Sequence, residues 1–202
     1  MEKKLFVFDL DGVLIDSKEN MRLSWLKVCK KFKLDVSFDE YFNNIGKPFQ
    51  VILTDLKIEN DQELIEKEYN NSSIENEDKI IFYKNVPIVL NKLVSKNILV
   101  SICTSKDSQR TERILKNLPV KFDSINCPNL NLKGKPFPDQ LIQASKVANV
   151  ELKNTTYIGD TIVDKKTAEN AGIKFIYASY GYGNLKNIKN KINKFDDILA
   201  YT

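Results

Sequence analysis

Residues 5–13 read LFVFDLDGV, and this stretch decides the fold. Its first four residues are an apolar run that predicts a buried strand. Two carboxylates, Asp9 and Asp11, follow where that strand should end. Because side chains alternate along a strand, both acids reach one site only if the chain turns out of the sheet, and Gly12 allows that turn. Two acids at a strand end suit a hard cation and a nucleophile, the alternative being a surface strand with two solvated acids.

The composition allows one domain of ordinary size, with or without a small insertion. The chain has 202 residues, of which 42% are hydrophobic, and a net charge of +4. Its lysines are spread along the whole chain, so nucleic acid is not an expected partner. No apolar stretch is long enough for a membrane span, and the N-terminus lacks a signal-peptide pattern. We therefore expect a cytoplasmic protein with no membrane partner, while nothing in the sequence indicates its oligomeric state.

Histidine is absent from the chain, and its three cysteines are widely spaced. The absence of histidine excludes Ser-His-Asp and Cys-His catalysis and every histidine-ligated metal site. Cys29, Cys103 and Cys127 fit neither a disulfide framework nor a zinc site, and Cys103 lies in an apolar run typical of a reduced core residue. Acid–base chemistry then falls to carboxylates, lysine or tyrosine.

Hydrophobic periodicity predicts a helical block directly after the first strand. The expected elements are a helix through residues 21–32 capped by Asp16 or Ser17, a helix beginning at Pro48, a helix beginning near Asp61, and a polar turn over residues 70–78. No strand is expected between Ser17 and about Lys79.

Strands then alternate with helices. The pattern predicts strands over residues 98–103, 122–127, 155–158 and 173–178, the last being the final strand, and helices over 86–95, from 104 to about 118, over 136–149 and over 162–171. Such alternation is typical of a parallel, doubly wound sheet. The predicted architecture is a Rossmann-like α/β core of residues 1–16 and 80–202, into which an all-helical cap of residues 17–79 is inserted.

Polar residues collect at the predicted strand ends and helix starts. Asp9 and Asp11 follow the first strand, Thr104, Ser105 and Lys106 follow the strand ending at Cys103, Lys135 precedes a helix, and Asp160 and Asp164 follow the strand ending at Ile158. Each group alone has an ordinary explanation, such as a helix cap or a solvated side chain. Since ligands bind beyond the carboxyl ends of an open parallel sheet, their joint occurrence indicates one site.

The combined pattern resembles the haloacid dehalogenase-like (HAD) hydrolase superfamily over essentially the whole chain. Residues 9–13 are similar to its first motif, Thr104 to the second, Lys135 with Pro136 to the third, and Gly159-Asp160 with Asp164 to the fourth. The helical insertion after the first motif resembles the subgroup that contains phosphoglycolate phosphatase and beta-phosphoglucomutase.

The resemblance implies a phosphatase that hydrolyses a small-molecule phosphomonoester, such as a sugar, polyol or glycolate-type phosphate, through an aspartyl-phosphate. Asp9 would be the nucleophile, and Asp11 the general acid and base. An acid at position 11 favours phosphate esters over halogenated or phosphonate substrates.

The resemblance also implies a Mg²⁺ cofactor and a phosphoryl site. Mg²⁺ would be held by Asp9, the backbone carbonyl of Asp11 and Asp160, with Asp164 in the outer shell. Thr104, the Ser105 backbone amide and Lys135 would bind the phosphoryl oxygens. The carboxylates of Asp9, Asp11, Asp160 and Asp164 are expected to converge on a small volume.

A cap loop at residues 44–48 is the expected source of substrate selection. Gly46 allows a tight turn, and Pro48 is typical of a first helical residue. Lys47 is therefore predicted to lie near a helix N-terminus and to contact an anionic group of the substrate. A solvated lysine is the alternative.

Three other functions compete with a phosphatase. A phosphomutase is disfavoured because the resembling mutases carry a histidine in the first cap hinge, where this chain has Met21. A phospho-accepting signalling receiver would be shorter, uncapped, and phosphorylated on a later strand. A non-catalytic binding protein is disfavoured because unused buried acids are costly.

Overall fold

Six parallel strands form the central sheet of the computed structural model, which describes residues 2–202. Counting a separate two-stranded pair, the strands of these residues are, in chain order, β1 (Lys4–Phe8), β2 (Ile15–Asp16), β3 (Ile81–Phe82), β4 (Ile98–Cys103), β5 (Ser124–Asn126), β6 (Thr155–Gly159), β7 (Lys174–Ala178) and β8 (Lys191–Ile192). The sheet order is β5-β4-β1-β6-β7-β8, and β2 and β3 form a separate antiparallel pair. The predicted parallel sheet is confirmed.

Eight α-helices lie within residues 2–202, the first four between β2 and β3 and the last four among the later strands. They are α1 (Lys18–Phe32), α2 (Phe38–Phe42), α3 (Phe49–Asp55), α4 (Gln62–Glu75), α5 (Val86–Ser95), α6 (Ser108–Leu115), α7 (Asp139–Ala148) and α8 (Ile162–Ala171). Within residues 2–202, no helix combines the length and the apolar character that a membrane crossing requires.

Strand β1 lies at the centre of the sheet, paired with β4 on one side and β6 on the other. Phe6 and Phe8 pack into the apolar core on one face, whereas Leu5 and Val7 pack into the core on the opposite face. Both faces are buried, which explains why the strand reads as a continuous apolar run rather than an alternating one. This position places the residue after β1 in the middle of the sheet's carboxyl edge.

Helices α1 to α4 form a cap with an apolar cluster of its own, as the predicted fold class requires. Trp25 of α1 is fully buried there and stacks on Tyr41, with ring centroids 4.5 Å apart. The β2–β3 pair aligns Ile15 with Phe82 where the chain leaves the sheet and where it returns. The boundaries of the cap, residues 17 and 79, stay a prediction.

Two local expectations are wrong. Residues 70–75 continue α4 instead of forming a turn, because Ser72 and Ser73 are buried against α1. At the start of α1, Ser17 is the N-cap residue as expected, but the side chain that accepts from a helix amide is Asp16, at 3.1 Å from Lys18, because the Ser17 hydroxyl donates to Asp11. Strand β7 is not the last, because the two-residue strand β8 pairs with it. Helix α2, too short for a periodic signal, was also not expected.

A polar contact fixes α1 against α4. The fully buried side chain of Asn20 donates to the backbone carbonyls of Ser73 (2.8 Å) and Asn76 (2.9 Å), and accepts from the Ser73 hydroxyl at 2.8 Å. These bonds satisfy polar groups at the end of α4, which would otherwise be unpaired in the cap interior.

Replacing Asn20 with Ala should therefore lower the free energy of unfolding by about 2–3 kcal/mol, because it leaves buried carbonyls without donors. Urea denaturation measures the loss. The control is Asn71→Ala, which changes an exposed asparagine on the same α4 and should cost under about 0.5 kcal/mol. Equal losses in the two variants would contradict this role of Asn20.

Candidate active site

Three buried acids meet at the carboxyl edge of the sheet. Asp9 follows β1, Asp160 follows β6, and Asp164 lies in the first turn of α8. One carboxylate oxygen from each lies within 4.8 Å of the others. At that separation two like charges repel by roughly 3–4 kcal/mol at an effective dielectric of about 20, so the cluster requires positive charge.

The ammonium of Lys135 supplies part of that charge. It lies 3.0 Å from Asp9 and 2.6 Å from Asp164, and its side chain is only 1% exposed. Burial disfavours its charged form, but the two carboxylates outweigh this and raise the pKa of Lys135 above its usual value. Lys135 is therefore a fixed cation at the centre of the site.

Asp9 and Asp164 use their oxygens differently. Burial raises the pKa of Asp9 to about 7, against the attraction of Lys135. Its Oδ1 accepts from the Leu10 amide at 2.7 Å and pairs with Lys135, and within residues 2–202 its Oδ2 accepts no hydrogen bond. Both oxygens of Asp164 are occupied, Oδ1 by Lys135 and Tyr157, and Oδ2 by Thr161. Although burial opposes it, Lys135 holds the pKa of Asp164 below its ordinary value.

Asp160 carries an unsatisfied oxygen. Its Oδ2 accepts from the Tyr182 amide at 2.6 Å, but its Oδ1 is buried and has no hydrogen-bond partner within residues 2–202. Burial, with the nearby Asp164 and Asp9 carboxylates, raises the pKa of Asp160 well above its usual range. A buried orphan acceptor is costly, and a bound cation would satisfy it.

This donor set fits Mg²⁺. The oxygens are hard ligands, and the chain has no histidine that would favour a softer metal. The carboxylate oxygens free to bind a cation belong to Asp9 and Asp160. Both oxygens of Asp164 already accept hydrogen bonds, so Asp164 positions Lys135 and the loop after β6.

The expectation that all four carboxylates converge is wrong for Asp11, which lies outside the three-acid group. Its Oδ1 instead accepts from the hydroxyl of Ser17, at 2.5 Å, and pairs with Lys106 at 3.2 Å. These partners draw the carboxylate away from the cluster. Asp11 nevertheless lines the same cavity as Asp9, and its backbone is next to Gly12, whose carbonyl lies beside the Asp160 loop.

The residues after β4 form another wall of the cavity. Thr104 is buried, and its backbone amide donates to Asn126 at 3.1 Å. The Ser105 hydroxyl donates to the carbonyl of Gly46 in the cap loop at 2.7 Å. Thr104, Ser105 and Lys135 thus line one cavity with Asp9, and a cap loop covers it.

Lys47 also lines this cavity, but its ammonium is already paired within the cap. It lies 2.6 Å from Asp55 and donates to Asn44 at 2.8 Å. Pro48 is the residue before α3, which begins at Phe49 rather than at the proline.

Three further residues line the cavity: Lys106, which the sequence placed at the site without a particular function, Arg110 and Tyr182. Lys106 and Arg110 are buried cations, and Tyr182 connects the site to the cap. The Tyr182 hydroxyl accepts from the Ser17 amide at 2.7 Å, and its ring packs on Phe42 at 5.2 Å. Lys106 directly follows Ser105 at the same strand end, which is why the sequence places it at the site, whereas the position of Arg110 depends on where α6 begins.

Gly12 permits a close approach of the backbone to the Asp160 carboxylate. Its φ of +84° lies in the left-handed region, and a Cβ there would lie 2.2 Å from Asp160 Oδ2. Any side chain at position 12 would therefore displace Asp160. Glycine is therefore needed at this turn for two reasons: the positive φ disfavours other residues, and Asp160 leaves no room for a Cβ.

Comparison with known proteins agrees with this geometry. The sequence model of the family described as haloacid dehalogenase-like hydrolase matches residues 6–178. The chain belongs to this family, so the predicted hydrolase class is confirmed.

Two curated relatives cover most of the chain. A Clostridium perfringens protein named "Putative pyrophosphatase PpaX" is 29% identical over 88% of this chain and 84% of its own length. Phosphoglycolate phosphatase of Aquifex aeolicus is 26% identical over 91% of this chain and 88% of its own. Among solved structures, a haloacid dehalogenase-like family hydrolase from Streptococcus pneumoniae shares the fold, with a TM-score of 0.85, 20% identity and 98% of each chain covered.

Gly12→Ala should destabilise the protein more than the same change at Gly172. Both glycines have positive φ, +84° and +67°, but a Cβ at Gly172 meets nothing within 4 Å. Gly172→Ala should cost about 1–2 kcal/mol from its conformation alone, and Gly12→Ala at least about 1 kcal/mol more because of the contact with Asp160. Chemical denaturation of both variants measures the difference, and equal costs would show that Asp160 yields freely.

Proposed function

We propose that the protein is a Mg²⁺-dependent phosphatase that hydrolyses a small-molecule phosphomonoester through an aspartyl-phosphate. The observation that carries the proposal is the state of Asp9, whose Oδ1 is held by Leu10 and Lys135 while its Oδ2 is unpaired within residues 2–202 and the residue lines the cavity. A fixed carboxylate with one open oxygen is suited to attack phosphorus. The phosphatase and pyrophosphatase names of the relatives support the same reaction class.

In the first step, Asp9 Oδ2 attacks phosphorus, and the bond from phosphorus to the leaving oxygen breaks. Asp11 donates a proton to that oxygen, so the product leaves as an alcohol. In the second step, Asp11 takes a proton from water, water oxygen bonds to phosphorus, and the bond to Asp9 breaks. This returns both carboxyl groups to their starting state and releases phosphate.

The remaining residues position the reacting groups. Thr104, the Ser105 amide and Lys135 would hold the phosphoryl oxygens, since positioning and charge stabilisation dominate phosphoryl transfer. Asp9, the Asp11 carbonyl and Asp160 would hold Mg²⁺, which when bound offsets the negative charge of the acids and the phosphoryl group. The cap, residues 17–79, excludes bulk water when it lies over the cavity as it does here.

Asp9→Asn should reduce steady-state phosphate release by on the order of 10³-fold or more, because the amide keeps the shape of the side chain but cannot attack phosphorus. Circular dichroism should show an intact fold. The matched control is Asp35→Asn, an exposed aspartate that should retain wild-type activity. Near-normal turnover in Asp9→Asn would refute the mechanism. Stoichiometric phosphorylation of the wild-type protein without turnover would favour a signalling receiver.

Saturating Mg²⁺ should raise the melting temperature, because it binds the native acid cluster and not the unfolded chain. A Mg²⁺ concentration 100 times Kd adds about 2.7 kcal/mol to the free energy of unfolding. Each kcal/mol raises the melting temperature by about 2–4 °C for a chain of this size. In Asp160→Asn most of that shift should disappear, since the variant lacks a ligand charge. An undiminished shift in Asp160→Asn would place the metal elsewhere.

A further inference from the structure

Arg110 is a buried cation for which the proposed reaction has no use. It lies in α6, is 8% exposed, and lines the cavity together with Lys106. A buried charge is costly unless it is paired, so its neighbours indicate what it is built to bind.

The guanidinium of Arg110 is held firmly but only partly used. Its Nε pairs with Asp107, whose carboxylate also accepts from the Arg110 amide at 2.9 Å. Its Cζ lies 5.5 Å from the centre of the Tyr69 ring, and the Tyr69 hydroxyl accepts from Tyr41 at 2.8 Å. Within residues 2–202, Asp107 is the only carboxylate that pairs with Arg110, and it does so through Nε, so the two terminal amino groups make no hydrogen bond to a carboxylate there.

The cavity itself is small. Its volume is about 70 Å³, far below the ~300–1,000 Å³ of pockets that take drug-sized ligands. A planar fork of donors in so small a space suits a carboxylate or phosphoryl group, which can accept two charge-assisted hydrogen bonds from the terminal amino groups, whereas a neutral alcohol cannot.

We propose that Arg110, with Lys106 beside it in the cavity wall, forms a second anion subsite that binds the leaving group. The inference rests on the proposed phosphatase activity and narrows its substrate to a small phosphorylated anion, in which a carboxylate or a second phosphoryl group lies close to the transferred one. Selection of the substrate then depends on a core helix and not on Lys47, whose ammonium is paired with Asp55.

The test compares kcat/KM for three small substrates in the presence of Mg²⁺. 2-Phosphoglycolate carries a carboxylate, pyrophosphate carries a second phosphoryl group, and 2-hydroxyethyl phosphate carries a neutral hydroxyl in place of the carboxylate. The wild-type enzyme should prefer at least one of the two anionic compounds over 2-hydroxyethyl phosphate by about 10- to 100-fold, the range of a charge-assisted hydrogen bond. Which of the two is preferred identifies the second anion.

Arg110→Gln should reduce that preference at least about tenfold. The matched control is Arg113→Gln, which removes a cation one turn along α6 that pairs with Glu77 outside the cavity, and should leave the preference unchanged. If Arg110→Gln does not fold, Arg110→Lys keeps the charge without the fork and should still lower the preference. An equal loss of kcat/KM for all three substrates in Arg110→Gln would overturn the proposal. It would also be overturned if Lys47→Ala lost the preference for the anionic substrate while the Arg110 variants kept it.

Failure of the subsite and failure of the phosphatase proposal give different results. Hydrolysis of all three compounds at similar rates by the wild-type enzyme would refute the subsite and leave the phosphatase intact. Failure to hydrolyse these three compounds and a wider panel of small phosphomonoesters, sugar and polyol phosphates included, would refute the phosphatase. In that case calorimetric titration of Asp9→Asn with 2-phosphoglycolate and 2-hydroxyethyl phosphate still decides the subsite, since equal affinity for both would refute it.

Discussion

The ammonium of Lys135 is the interaction on which the site depends. It lies between Asp9 and Asp164, which reach it from β1 and α8, and all three side chains are buried. Without this cation, the acids would repel one another more strongly in a medium that screens poorly, and the pKa values of Asp9 and Asp164 would be higher. Lys135 therefore joins the central strand to α8 and, by the same contacts, holds the carboxylate of Asp9, the nucleophile of the proposed reaction, in place.

One ammonium does not balance three acids, and the fold leaves the imbalance at Asp160. Backbone atoms approach this residue closely, since a Cβ at Gly181 would lie 2.4 Å from Asp160 Cβ. Its Oδ2 is fixed by the Tyr182 amide, so the carboxylate cannot turn to satisfy Oδ1. The arrangement thus maintains an open acceptor next to Asp9, which is the condition for binding a hard cation there.

The fold and the acid cluster could be predicted from the sequence because their signals are local. Strand β1 is a continuous apolar run, and the acids come directly after strands that share one edge. The end of α4 could not be predicted, because its polar residues are helical only through burial against Asn20. The direction of the Asp11 carboxylate also escaped prediction. Ser17 holds it from across the turn that follows β1, and Lys106 holds it from the end of a different strand, β4.

Arg110 shows why a functional side chain can lack a local signal. Its place in the cavity depends on the Asp107 cap that starts α6 and on Tyr69, which reaches it from α4 of the cap. The stacking partner and the Gly46 carbonyl that accepts from Ser105 both belong to the cap, while Arg110 and Ser105 belong to the core. The same packing of the cap therefore covers the cavity, through the Gly46 loop, and places the Tyr69 ring against the guanidinium.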